Sequence, residues 1–122
     1  MPFKYYNRNP DNLRLKDCVC RAISTATGLY YEAVDNLLDM ISKEYGCDKL
    51  CVCCYKHLLE DTLCYVTDYC NYSKTVKDLV SEFPKNVLVI RISEHLTSAI
   101  NGTVLDIWDC SEELVDCYWI IR

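Results

Sequence analysis

The spacing of apolar positions changes halfway along the chain. Between Cys18 and Thr27 they recur at helical intervals, with Val19, Ala22, Ile23 and Ala26 on one stripe and Gly28 as the stop. The same period over Tyr31 to Tyr45 turns Val34, Leu37, Leu38, Ile41 and Tyr45 inward, and Gly46 ends that helix. A weaker third element runs from about Cys51 to Leu63 around a helical Tyr55–Asp61 centre, since cysteine and valine are modest helix formers. Thr75-Val76-Lys77-Asp78 has capping-box order, with Asp in place of the usual Glu, and opens a short helix that stops at Phe83-Pro84.

Beyond Pro84 the pattern is that of strands. Residues 86–92 form a near-continuous apolar run, suited to a central strand covered on both faces. Leu96–Ile100 and Thr103–Trp108 flank Asn101-Gly102, a tight-hairpin signal, and Cys117–Ile121 supplies a closing strand. Residues 1–16, with turn formers Asn7, Asn9, Pro10, Asp11 and Asn12, read as an irregular arm. Helices first and an antiparallel sheet second predict an α+β fold, and 122 residues make one domain over 1–122.

Composition narrows the function classes. About half the residues are apolar (51%) and a quarter charged (25%), as in a folded soluble domain. The net charge of -5 disfavours nucleic acid and anionic membranes as partners, and no apolar run reaches the length of a membrane span. The N-terminus lacks the apolar core of a secretion signal. Many of the ten cysteines fall inside apolar periodic segments, where a free thiol acts as a small hydrophobe. That usage points to a reduced, cytoplasmic protein rather than a disulfide scaffold. Cys47, Cys51, Cys53 and Cys54 lack the two separated pairs of a zinc knuckle, so neither metal nor cofactor is expected.

One cysteine differs from the rest by position. Asp17 stands where it caps the first helix, which puts Cys18 among the unpaired amides at the positive end of the helix dipole, a setting that favours thiolate. Cys20, about 200° further round, is the alternative nucleophile. Arg21 follows Asp17 by one turn and forms a surface pair with it, contributing only a few tenths of a kcal/mol. Hairpin parity supplies the partners. With Asn101-Gly102 as the turn, Ile100 pairs with Thr103, Ala99 with Val104 and Thr97 with Asp106, while His95 falls opposite Trp108. His95 and Asp106 are then diagonal neighbours on one face, and Asp109 points away. Cys18, His95 and Asp106 suffice for acyl chemistry as nucleophile, base and orienter. His57, beside Leu58 and Leu59, reads as a boundary residue instead.

With these residues in place, the chain resembles the papain-like cysteine peptidase superfamily, in which a cysteine opens a helix and histidine and then Asn/Asp follow on strands. More narrowly, Asp17-Cys18-x-x-Arg21-Ala22-Ile23 and the stretch His95–Ser111 look like small uncharacterised papain-fold proteins of bacteria and phages. The resemblance implies a minimal papain-like fold, a peptide or protein substrate, and a thioacyl intermediate. It also implies an oxyanion donor upstream of the nucleophile, where the family has glutamine and this chain has Asn12, with Asn7 and Asn9 as alternatives. The competing expectation is a catalytically inactive papain-fold module that binds peptide or protein through its ten tyrosines.

Overall fold

A computed structural model of the chain describes residues 3–9 and 17–122. Strand β1 (Phe3–Tyr5) is followed by helices α1 (Cys18–Thr27), α2 (Tyr31–Tyr45) and α3 (Val52–Lys56), the last running on into a π-helical stretch, His57–Thr62. Strand β2 (Val66–Tyr69) and helix α4 (Val76–Glu82) lead to β3 (Val87–Ile92), β4 (His95–Ile100), β5 (Thr103–Asp106) and β6 (Val115–Ile120). The α+β organisation holds, with three of the four α-helices described in the N-terminal half and most of the sheet in the C-terminal half. No helix among the described residues is long and apolar enough to cross a membrane.

The first two helices end where the glycines require. Gly28 and Gly46 take φ values of 79° and 66°, and each amide bonds back into the last turn of its helix. Of the capping box the N-cap half forms: Thr75 Oγ1 accepts from the Asp78 amide at 3.2 Å and opens α4. The third element is less regular than expected. It departs from α geometry where Leu63 N–H reaches back to Leu58 O at 2.9 Å, and this wider turn buries both Leu58 and Leu59.

The sheet has the order β1-β5-β4-β3-β6-β2, so β3 lies inside it as its apolar run predicts. Its residues alternate between two cores. Val87 and Val89 join Val19, Ile23, Leu38, Leu58 and Trp119 beneath α1–α3, while Leu88, Ile90 and Ile92 join Val76, Leu79 and Val80 of α4 on the other side. Each such buried side chain contributes about 1.5–3 kcal/mol of transfer free energy.

Several expectations need correction. The sheet is mixed, not antiparallel, because β1 from the supposedly irregular arm pairs parallel with β5, Tyr5 opposite Asp106. A short strand of three residues carries too few alternations to register as a pattern. Strand β2 has no signal in the apolar pattern either, since it is an edge strand and Val66 is 77% exposed. Tyr45 faces outward and stacks on His57 at 4.0 Å between centroids. The β5 strand stops at Asp106 instead of reaching Trp108, and β6 begins earlier than expected, at Val115.

Candidate active site

Three element ends converge: the first turn of α1, the first residue of β4 and the last residue of β5. The Asn101-Gly102 turn sets the register as parity requires, with both residues at positive φ (49° and 83°), and Ala99 and Ile100 face Val104 and Thr103. The backbone ladder between β4 and β5 covers only those two pairs. Further from the turn, side chains bridge the strands. Thr97 Oγ1 donates to Asp106 Oδ2 at 2.6 Å, and His95 Nε2 lies 2.7 Å from the same oxygen. The His95 and Trp108 rings meet edge to face at 5.0 Å. Asp109 points elsewhere and accepts from the amide and hydroxyl of Ser111.

Asp106 is buried, at 5% exposure. Burial opposes its ionisation, but bonds from His95 and Thr97, the charge of His95 and the Ile107 amide outweigh that and hold its carboxyl below the usual range. With Nε2 committed to Asp106, Nδ1 is the nitrogen left for Cys18. Burial opposes the charge on His95 as well. Hydrogen bonds to Asp106 and Cys18 and their negative charges prevail and lift it to about 9.

Cys18 responds in the complementary direction. Burial raises the thiol, yet the His95 hydrogen bond, the Leu96 backbone amide and the imidazolium charge bring it below its ordinary value, against a smaller opposing effect of Asp106. The strand-borne histidine and the β4 backbone thus act on the thiol from across the helix start. Every other cysteine with a resolved shift moves up: Cys20, Cys47, Cys54, Cys70, Cys110 and Cys117. Cys20, the alternative nucleophile, is buried with Sγ 3.6 Å from the Asp35 carboxylate and is pushed up to about 12. His57 lies apart from these groups, paired with Asp61 at 2.6 Å.

Asp17 departs from expectation. It is the N-cap residue of α1, but its side chain makes no capping bond. Its Oδ1 binds Arg21, and its Oδ2 accepts from Asn9 Nδ2 at 3.0 Å and from the Tyr31 hydroxyl at 2.6 Å. The pair with Arg21 is buried, with exposures of 7% and 6%, not the surface pair read from the sequence. Asn9, one alternative oxyanion donor, is thus engaged with Asp17, while Asn7 Oδ1 accepts the Asn9 amide. Asn12 lies outside the described residues. The sequence carried no signal for Tyr31, which reaches Asp17 from the start of α2 only through tertiary packing.

Cys18 and His95 open on a cleft of about 280 Å³, shared with Leu50, Cys51, Tyr55 and Glu94. Among the described residues, one trio brings metal-type donor atoms within 4.8 Å of one another: His95, Asp106 and Cys110. Its nitrogen and carboxylate oxygen are in direct hydrogen bond at 2.7 Å, closer than the roughly 3.3 Å between two such ligands on one tetrahedral zinc. The geometry is that of a proton-sharing pair. No family model, curated protein or solved structure matches the chain.

Proposed function

We propose that the protein is a thiol hydrolase of papain-like arrangement, acting on a peptide or isopeptide amide through a covalent thioacyl intermediate. The observation that carries this reading is the Cys18–His95–Asp106 chain, in which the thiol is lowered and the imidazole raised to about 9. Those opposite shifts favour a thiolate–imidazolium pair over the neutral thiol and imidazole. The papain-like fold and the chain order of cysteine, histidine and aspartate belong to the same proposal.

In the first step Cys18 Sγ attacks the amide carbonyl carbon, a C–S bond forms, and the carbonyl electron pair moves onto oxygen. The first-turn amides of α1, which the Asp17 side chain does not cap, are available to that oxyanion. Collapse breaks the C–N bond, and the amine leaves with the proton of His95. Water then attacks the thioester while giving a proton to His95. The C–S bond breaks, a carboxylic acid leaves, and Asp106 keeps the imidazole oriented throughout. Asn12 is the side chain assigned to assist at the oxyanion.

p-Nitrophenyl acetate provides a test that needs no knowledge of the natural substrate. Intact mass should show one acetyl group, mapped to Cys18 and lost again by hydrolysis. Cys18→Ala should abolish it, and His95→Ala should slow both its gain and its loss. Absence of a Cys18 acyl adduct, with peptides still bound, would identify an inert binding module instead.

A further inference from the structure

The charges around Asp106 form a circuit that begins and ends on α1. Cys18 and His95 of β4 line one cleft and act on each other electrostatically, and His95 Nε2 shares Asp106 Oδ2. The other carboxylate oxygen, Oδ1, accepts the Ile107 amide and lies 4.0 Å from Arg21 Nη2. Arg21 Nη1 binds Asp17, the residue adjacent to Cys18. Five groups of alternating sign, Cys18, His95, Asp106, Arg21 and Asp17, therefore close on one helix start.

We propose that Arg21 is a positioning residue for the hydrolytic reaction: anchored by Asp17, it holds the Asp106 carboxylate in place for His95 and offsets part of its charge toward Cys18. The inference rests on the thiol-hydrolase reading. Three observations set this arginine apart from an ordinary helix-face ion pair. The pair is buried, which costs desolvation that an exposed pair one turn apart avoids. The guanidinium faces a second carboxylate, on another element, and that carboxylate already serves His95. Its anchor is fixed in turn, since Asn9 and Tyr31 occupy the remaining oxygen of Asp17.

The direction of the effect follows from the surroundings. Arg21 faces Asp17 at its own helix start, Asp106 on β5, Tyr31 on α2 and Tyr5 on β1. Asp106 faces His95 on β4 and lies close to Cys110. Cys18 is also within electrostatic range of Cys20 on α1 and Tyr55 on α3. Asp106 opposes ionisation of Cys18 and supports the charge on His95. Removing the Arg21 charge exposes both neighbours to more of the carboxylate's field, so both titrations should move to higher pH.

The experiment reads the pH profile of Cys18 alkylation by limiting iodoacetamide, and the His95 ring shift by NMR, in Arg21→Met, Arg21→Lys and Tyr31→Phe. Arg21→Met should raise both midpoints by about half a unit or more. Arg21→Lys, which keeps the charge, should return them most of the way. Tyr31→Phe, which loosens the anchor without deleting charge, should shift them in the same direction as Arg21→Met but by less. Should Arg21→Met fail to fold, Tyr31→Phe decides the matter. Wild-type midpoints in folded Arg21→Met, or in Tyr31→Phe where Arg21→Met does not fold, would overturn the positioning role and leave Arg21 as a structural residue. Failure of the hydrolase reading is recognised separately, because wild-type Cys18 would then show no selective alkylation.

Discussion

At the scale of single residues, the site depends on which carboxylates and thiols are buried with partners. Asp17 and Arg21 were legible as neighbours one turn apart, but not their burial, because the residues that cover them come from other segments: Asn9 from the arm and Tyr31 from α2. The difference is one of magnitude. Asp17→Ala leaves a buried guanidinium without its main partner and should cost about 3–5 kcal/mol in urea unfolding, against the few tenths expected of a surface pair. A loss below about 1 kcal/mol would mean that solvent reaches the pair. Asp106→Asn should lower the His95 titration from about 9, since both the charge and the charge-assisted bond disappear, and an NMR titration of the ring reads this directly. Hydrolysis needs thiolate and imidazolium together. It should rise as Cys18 ionises below the ordinary thiol value and fall as His95 loses its proton near 9.

At the scale of elements, the hairpin is the device that assembles the site. Asn101-Gly102 fixes the register, register fixes parity, and parity puts His95 and Thr97 on the face of Asp106. Gly102 holds φ of 83°, so Gly102→Ala should destabilise by about 1–2 kcal/mol, even though an added Cβ would meet Pro84 only at ordinary contact distance. It should also weaken the selective alkylation of Cys18, because the strain sits in the turn that aligns the pair. Thr75→Ala removes the α4 cap and should cost about 1 kcal/mol without touching the site, which makes it the control when both variants are unfolded in urea. Elements with a strong local signal were readable: α1 and α2 with their terminal glycines, α4 with its cap, and the apolar β3. Strands β1 and β2 were not, being short edge strands defined by the neighbour they pair with rather than by their own pattern.

At the scale of the whole molecule, many groups hold their protons more tightly in the fold than outside it. Burial pushes Cys20 and Cys110 up to about 12, and does the same for Tyr55 and Tyr118, while His95 is raised to about 9. Each has a folded-state value above its unfolded one, so its contribution is complete below the unfolded value and is lost as pH rises through the folded value. The His95 contribution should therefore be lost between about pH 6.5 and pH 9 and those of the thiols and phenols above about pH 9, so the melting temperature should fall progressively over that range; an alkaline plateau would show that these thiols and phenols are not buried as described. Activation of one thiol of ten by His95 is read by treating the native protein with limiting iodoacetamide from about pH 5 to about pH 9 and mapping the modified residue. Cys18 should react first, with a midpoint below the ordinary thiol value, and His95→Ala should erase that preference. Uniform labelling of several cysteines, or a Cys18 that stays silent in the folded protein, would contradict it.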